Sequence, residues 1–278
     1  MSGIIELRQR IHGIRTLDEV VHAMRSIAGV RLRQAQHAFA GLTAYEDAIA
    51  AAFDLALAFW PDAGRHFAER ASRGPQALIV VGSEHGFVGG YNEHLLLEAR
   101  HLLAPGDQLY VVGARAARLV QRQGLALAGV HAMPVRAAHA TVTALGLAET
   151  LWPAYRAGQV TRLAILHSLA PSGDVPHPVC VALAPLTGRS LQPRAPLPPL
   201  TQVPPEHLVG QLAGELLIAR LIRALVEAVQ AENQLRLRAM ERAKRNVESR
   251  LADLRLAECR LAQELTTNEI LELVNAAP

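Results

Sequence analysis

The sequence predicts an α/β fold in which two long terminal helices enclose a domain with a mostly parallel sheet. Long proline-free stretches with apolar residues at helical spacing occupy both ends of the chain, at 4–59 and 206–274. Between them, short runs rich in valine, isoleucine and leucine alternate with helical patterns. A hydrophobic content of 50% is enough for a core, and 4% aromatic residues is low for a β-sandwich.

Residues 1–60 form the first predicted element, an amphipathic coiled-coil helix. Apolar residues recur in it at steps of three and four, with arginines between them. Gly13 and Gly29 weaken the pattern locally, and Trp60-Pro61 ends it, because the residue before a proline disfavours helical conformation. The apolar residues of this pattern are Ile4, Leu7, Ile11, Ile14, Leu17, Val20, Val21, Met24, Ile27 and Leu32.

Residues 76–190 form the second element, a Rossmann-like α/β domain. Its strand and helix patterns alternate, and such alternation is typical of a mostly parallel sheet with helical crossovers. The predicted strands are 77–81, 110–113, 161–169 and 179–186, and the predicted helices are 93–103, 114–123 and about 141–157.

Residues 191–205 form a proline-rich connector, and residues 206–278 form the third element, a C-terminal coiled-coil helix. Some 65–70 helical residues would make a rod of about 100 Å, which exceeds the width of a domain of this size. The apolar residues of this helix are Leu208, Leu212, Leu216, Leu221, Leu225, Val229, Leu237, Met240, Val247, Leu251, Leu254, Leu261, Leu265 and Leu273.

Both terminal helices must bury an apolar stripe, and winding them around each other is the most economical way to do so. The pairing is antiparallel if the inserted domain returns the chain near the point where it entered. The alternative, two helical domains that flank a Rossmann domain, would need more short helices and loops than the sequence contains.

Charge and hydropathy limit the classes of protein to which this chain can belong. The formal net charge is +3, and Lys244 is the only lysine. The N-terminal residues turn charged at Glu6 before an apolar signal sequence can form. The most apolar helical run, 49–61, carries Asp54 and is too short to span a membrane. We therefore expect a soluble or peripheral protein.

The glycine-rich segment 82–92, GSEHGFVGGYN, follows a predicted strand, where a phosphate-binding loop would lie. Its spacing is not that of the dinucleotide motif GxGxxG, and no lysine follows it as a P-loop requires. A NAD(P)-binding α/β protein with a helical dimerisation stalk is therefore only the alternative hypothesis.

No catalytic, cofactor-binding or metal site is predicted. His94, Glu98 and His101 share one helix face, but such triplets arise by chance on long helices and are usually solvated. Ser83 lacks the flanking residues of a nucleophile elbow. Cys180 is expected to be a small core residue of a strand, and with Cys259 it forms no recognisable motif.

Basic residues line both terminal helices and admit three interpretations. They could form a solvated face, since acidic residues are interleaved with them. They could bind nucleic acid, although aromatic residues are scarce. They could also form a basic collar that faces acidic loops of a surrounding partner. These residues are Arg8, Arg10, Arg15, Arg25, Arg31, Arg33, Arg236, Arg238, Arg242, Lys244, Arg245 and Arg250.

Three separated segments, in the right order, resemble the ATP synthase γ subunit family. Residues 6–36 are similar to its opening helix, with Ala23-Met24 at a family position, and Tyr45-Glu46 matches a further position. Residues 83–92 are similar to its Ser-Asp-Arg/Lys-Gly-Leu-Cys-Gly-Gly-x-Asn segment, and residues 236–274 align with its closing helix without gaps. The matching positions in the closing helix are Arg236, Met240, Asn246, Leu254, Gln263, Thr267, Glu269 and Ile270.

The resemblance implies a non-catalytic rotor shaft without a cofactor, in the F1 sector of an F-type ATP synthase. Its implied partners are the α and β subunits (α3β3), the ε subunit and the membrane c-ring, with no nucleic acid and no small-molecule substrate. Its implied location is peripheral, on the cytoplasmic face of a bacterial inner membrane.

The resemblance also assigns roles to residues. It implies rotor–stator contacts at Met24, Arg25, Gln263 and Thr267, and a structural turn at Gly86, Gly89 and Gly90 that binds no nucleotide and permits tight backbone packing.

Several positions depart from the family pattern. His85 replaces an arginine or lysine, Val88 replaces a cysteine, and Ala262 replaces the arginine of an Arg-Gln pair. The departures suggest a divergent lineage, of the kind of the alternate F-type ATPases that some bacteria carry beside their main enzyme.

Overall fold

Two long helices and a sheet domain make up the computed structural model, which describes residues 2–63, 74–170, 176–184, 186 and 199–275. The predicted pairing of long terminal helices with strand–helix alternation between them is confirmed. The elements are α1 (Ser2–Phe59), β1 (Gln76–Val81), α2 (Tyr91–Leu102), β2 (Gln108–Val112), α3 (Ala114–Arg122), β3 (Gly129–His131), a 3₁₀ turn (Ala137–His139), α4 (Ala140–Arg156), β4 (Arg162–Leu169), β5 (His177–Ala184) and α5 (Pro205–Asn275).

The sheet in the described residues has five strands in the order β3-β2-β1-β4-β5. The first four are mutually parallel, with Val80 of β1 opposite Val111 of β2 and Leu166 of β4. Strand β5 runs antiparallel to β4. The predicted mostly parallel sheet is therefore confirmed, while β3 was not predicted because three residues are too few to show a strand pattern.

The described chain divides into two compact units. The first contains the described residues of Met1–Gly29 and Arg236–Pro278, and the second contains Val30–Leu235. The predicted domain boundaries stay a prediction, and the units follow a different division, because α1 and α5 each contribute residues to both. Most of the predicted connector, including residues 191–198, lies outside the described residues.

In the first unit, α1 and α5 run antiparallel, as predicted. Arg8 Nε lies 2.8 Å from Glu258 Oε1, and Arg25 Nη2 lies 3.9 Å from Glu241 Oε1. The residue number therefore rises along α1 from Arg8 to Arg25 while that of the partner on α5 falls by the same amount, as antiparallel helices require. Ile11, Ala28, Met240 and Leu251 are buried in this unit.

In the second unit, both faces of the sheet are covered, as the parallel arrangement requires. Alternate residues of β1 enter different cores, because successive side chains of a strand point to opposite faces. Ala77, Ile79 and Val81 join a core with α1, α4 and α5, which contribute Phe53, Leu151 and Leu225. Leu78 and Val80 join a second core with α2 and α3, which contribute Leu95 and Ala116.

No helix within the described ranges is long and apolar enough to cross a membrane.

Candidate functional site

The glycine-rich turn after β1 is tied to its surroundings by its own polar groups. Ser83 is fully buried, and its backbone N–H donates to Asn92 Oδ1 at 2.9 Å. Asn92 Nδ2 donates in return to Ser83 Oγ at 2.8 Å. Because Asn92 lies in the first turn of α2, this reciprocal pair fixes the turn against the start of that helix.

The carboxylate of Glu84 accepts hydrogen bonds at the N-terminus of α3, the helix that follows β2. Its Oε2 atom accepts the backbone N–H of Ala114 at 3.1 Å and that of Met133 at 3.0 Å. Ala114 is the first residue of α3, and free N–H groups at a helix N-terminus bind anions. An internal carboxylate therefore binds at the start of α3, whereas a dinucleotide phosphate would lie at the start of α2, the helix after β1.

Two glycines outside the predicted set, Gly82 and Gly113, lie where backbone segments approach each other closely at this turn. A Cβ atom on Gly82 would lie 2.3 Å from Ala116 Cβ, and one on Gly113 would lie 2.7 Å from the Ser83 carbonyl oxygen. Gly113 also has φ of 107°, which strains any L side chain. These two glycines allow β1, β2 and α3 to meet.

The three predicted glycines are less constrained. Gly89 has φ of 63°, so it suits the turn, but a Cβ there would meet nothing within 4 Å. A Cβ on Gly86 would come only within 3.7 Å of the Arg115 guanidinium. Gly90 precedes α2 and faces the His94 ring. A Cβ on Gly89 would enter open space and one on Gly86 would make an ordinary contact, so the predicted role of these glycines in tight packing stays a prediction.

Phe87 is the one non-glycine residue with positive φ in the described chain, at 64°. Its side chain is 60% exposed at the tip of the turn. Bulky residues rarely adopt this conformation, so the hydrogen bonds on both sides of the turn must compensate for the strain.

A second ligand position of open parallel sheets, the crevice where strand order reverses, lies between β1 and β4. Here Tyr91 is buried, and its hydroxyl donates to the Val81 carbonyl oxygen at 3.2 Å. Burial raises the pKa of Tyr91, and the nearby charge of Glu232 raises it further, so the ring stays neutral. The crevice is therefore filled by a core side chain.

The four predicted contact residues all lie in the first unit. Met24 and Arg25 are half-buried on α1, with Arg25 near Glu241. Gln263 and Thr267 are exposed on α5, one turn apart, and Thr267 Oγ1 donates to the Gln263 carbonyl oxygen at 2.8 Å. The structure thus brings each pair together locally, and the contact roles stay predictions.

The candidate metal and thiol residues show no catalytic arrangement in the part of the chain that the structure describes. No group of three potential metal ligands converges there, and His94 Nδ1 instead lies 2.6 Å from the Gly90 carbonyl oxygen. Cys180 is exposed on β5, so its prediction as a core residue is wrong: β5 is an edge strand, and both of its faces are exposed over Cys180–Ala182. Partial burial and the charge of Glu98 raise the pKa of Cys180, which disfavours a thiolate.

Sequence reasoning missed a charged network in the second unit, formed by Glu46, His167, Arg223 and Glu227. It lies beside an open cavity of about 1280 Å³ between α1, α5 and the β4–β5 edge. One signal was available, because Arg223 and Glu227 are charged residues one turn apart in an otherwise apolar part of α5. Their partners on α1 and β4 are distant in sequence and leave no local pattern.

Comparison with known proteins gives a consistent result over the whole chain. A family model described as ATP synthase matches residues 3–278. The ATP synthase gamma chain of Frankia casuarinae is 27% identical, over 100% of this chain and 98% of the relative. That of a Synechococcus species is 25% identical, with the same two shares.

Solved structures show the same fold. A chain of the Euglena gracilis mitochondrial ATP synthase (OSCP/F1/c-ring, rotational state 3) has a TM-score of 0.65 and 12% identity, covering 99% of this chain and 93% of its own. A chain of the Tetrahymena thermophila mitochondrial ATP synthase central stalk and c-ring has a TM-score of 0.55 and 14% identity, covering 81% and 99%.

Proposed function

We propose a function from one premise: this chain belongs to the ATP synthase γ-chain family. The protein is the central rotor shaft of the F1 sector of an F-type ATP synthase. It couples ion-driven rotation of a membrane ring to ATP synthesis or hydrolysis in a ring of three α and three β subunits. The observation that carries this function is the antiparallel pairing of α1 with α5 in the first unit, on helices that also belong to the sheet-containing unit.

The helix pair would act by presenting different side chains to each catalytic site. An asymmetric shaft inside a threefold ring makes different contacts with each of three otherwise identical sites. Turning the shaft then changes the relative free energies of their tight, loose and open states, and this difference in contact energy is the coupling. The chain itself would be non-catalytic, since its part is mechanical.

The contacts with the ring would include Met24, Arg25, Gln263 and Thr267. Arg25 supports this role because its guanidinium is partly exposed, and at 3.9 Å its ion pair with Glu241 is too long for a hydrogen bond. It can therefore donate to an acidic loop of a β subunit. Ala262, which cannot donate, would leave one contact of the family weaker.

The sheet domain would form the foot of the shaft, where it meets the ε subunit and the c-ring. Family membership places the chain in a membrane-associated complex. Within that complex, we expect a peripheral position on the cytoplasmic face of a bacterial inner membrane. Contact with the membrane would then be indirect, through the ring.

Co-expression with the α and β subunits encoded beside this chain tests the function. We expect a complex of about 3:3:1 stoichiometry on size-exclusion chromatography, with ATPase activity well above that of α and β alone. The matched control omits only this chain. If α and β assemble and hydrolyse ATP equally well while this chain elutes separately, the shaft function is wrong. Thermal shifts with dinucleotides would then test the NAD(P) alternative.

A further inference from the structure

Four charged or titratable residues link three elements of the second unit in an unbroken series, which we name the clamp: Glu46, Arg223, Glu227 and His167. Arg223 Nη1 on α5 donates to Glu46 Oε2 on α1 at 3.0 Å. Arg223 Nε donates to Glu227 Oε1 at 3.1 Å. Glu227 Oε2 lies 2.7 Å from Nε2 of His167 on β4. The clamp therefore joins both long helices to the sheet.

The clamp is buried at its His167–Glu227 end, while the Arg223 side chain is 36% exposed. His167 is fully buried, and the Glu227 side chain is 9% exposed. Burial alone would raise the pKa of Glu227, but its contacts with His167 and Arg223 outweigh that effect and lower the pKa. Burial likewise opposes the charge of Arg223, while Glu46 and Glu227 raise its pKa. Charge-assisted hydrogen bonds of this kind are short, directional and stronger than neutral ones.

Arg223 is the centre of the clamp because its planar guanidinium reaches two carboxylates on two helices. Its Cζ atom also lies 5.3 Å from the centroid of the Phe39 ring on α1, within the range of a cation–π contact. Two independent contacts with α1 thus orient one side chain of α5. A lysine, with a single ammonium group, cannot reproduce this fork.

The clamp lies where apolar packing between the same three elements is incomplete. The open cavity of about 1280 Å³ is lined by Phe39 of α1, Ala224 of α5, Leu169 of β4 and Val181 of β5, together with all four clamp residues. Side chains that do not meet across a gap contribute little dispersion energy. Beside this cavity, the clamp therefore connects α1 and α5 directly to β4.

We infer that the clamp transmits torque, by preventing α1 and α5 from twisting against β4 when the shaft is loaded. This inference rests on the rotor-shaft function. Apolar contacts are non-directional and tolerate small rotations, whereas a planar guanidinium between two fixed carboxylates does not. Ion pairs add little net stability on average, so we assign to the clamp the role of fixing the relative arrangement of these elements. Loss of the clamp should therefore impair coupling more than assembly.

The test uses the complete membrane-bound complex with Arg223→Leu in this chain. ATP hydrolysis and the ATP-driven membrane potential are measured in the same vesicles. We expect hydrolysis to be largely retained and the initial pumping rate per ATP to fall about fivefold. A change of about fivefold is what the loss of one interaction of ordinary strength produces in the ratio of correctly aligned to twisted shafts. Single-rotor recordings under viscous load should show wider angular fluctuations for the same variant.

Arg220→Leu is the matched control. Arg220 is on the same helix, lines the same cavity and forms an ion pair with Glu46, but its Nε atom is 3.7 Å from Glu46 Oε1, so its removal takes no hydrogen bond from the clamp. We expect its pumping per ATP to stay near that of the wild type. Equal ratios for Arg223→Leu and Arg220→Leu would overturn the inference.

Glu227→Gln provides a second variant should Arg223→Leu fail to assemble. It keeps the shape of the side chain and removes its charge, so we expect a smaller loss of pumping per ATP, and a wild-type ratio would refute the clamp. A wild-type complex that hydrolyses ATP without any ATP-driven potential would instead contradict the shaft function itself. The two failures are thus distinguishable.

Discussion

The two compact units bury their apolar side chains in different ways. The second unit covers both faces of a sheet and builds two cores from five strands and the helices around them. The first unit has few buried apolar residues among those described, while Leu17, Val20 and Ile27 are half or more exposed. Exposed apolar side chains at this density indicate a surface that another protein covers. The second unit therefore has the larger internal cores, and the first leaves more of its apolar side chains uncovered.

The largest effect should follow from truncating the core of the second unit. Leu217 is 1% exposed, so Leu217→Ala should lower the free energy of unfolding by about 2–5 kcal/mol through lost burial and a cavity. Urea denaturation followed by circular dichroism reports on both units, and tryptophan fluorescence adds a signal from the second unit alone, because Trp60 and Trp152 both belong to it. Leu256→Ala in the first unit, at a 54% exposed site, should change stability by less than about 0.5 kcal/mol. Equal losses at the two sites would contradict the comparison.

Replacing glycine by alanine should have opposite effects on stability in the two units. Gly113→Ala places a Cβ 2.7 Å from a carbonyl oxygen at φ of 107°, so it should destabilise the second unit by about 1–3 kcal/mol. Gly13 lies within α1 of the first unit with nothing within 4 Å of an added Cβ. Gly13→Ala should therefore stabilise the helix by about 0.5–1 kcal/mol. Thermal unfolding by circular dichroism checks both signs, and two changes of the same sign would refute the contrast.

The internal anion of the second unit can be removed by Glu84→Ala. The N–H groups of Ala114 and Met133 would lose their acceptor, at a cost of about 1–3 kcal/mol. An empty helix N-terminus attracts anions, so sulfate should restore part of the loss. Glu149→Ala, at an exposed position in the middle of α4, is the control without a predicted sulfate effect. A Glu84→Ala protein that sulfate stabilises no more than the wild type would show that Glu84 does not occupy an anion site.

Acid should weaken the second unit through Glu227. Its folded-state pKa lies below the ordinary value of 4.5, so the unfolded chain binds more protons as the pH falls. The stability that this carboxylate contributes is present above its unfolded pKa and is lost as the pH falls through its folded pKa. Urea titrations at several pH values below 6 should therefore show a smaller pH dependence for Glu227→Gln than for the wild type. Parallel curves would contradict this assignment.

The smallest effect is expected at an ion pair of the first unit. The Arg8 side chain is 66% exposed, so its pair with Glu258 is screened by water. Arg8→Ala should cost less than about 1 kcal/mol, and the difference from the wild type should disappear in molar salt. Thermal melts at two salt concentrations test this expectation. A loss that persists at high salt would indicate packing rather than charge.

Local patterns predicted most of the fold. Helical spacing identified α1 and α5, and β-branched runs identified four of the five described strands, because side-chain periodicity records which face is buried. Strand β3 was too short to show a period. The exposure of Cys180 depended on the position of β5 at the sheet edge, which the order of strands along the chain does not reveal.

The chemistry of the site was less predictable. Excluding a dinucleotide motif required only the glycine spacing, but the role of Glu84 depended on where α3 and β3 meet the turn. The clamp depended on pairing Glu46 with Arg223 and His167 with Glu227 across long stretches of chain. Such pairings are properties of the tertiary fold, and no window of sequence contains both partners.

The composition of the first unit has a consequence for biosynthesis. Its two helical segments are the earliest and the latest parts of the described chain to leave the ribosome, and the whole second unit is made between them. The leading segment must therefore wait, with its apolar side chains uncovered, until translation is nearly complete. The sheet-containing unit can fold during that interval, so the helix pair closes last, after that unit has formed.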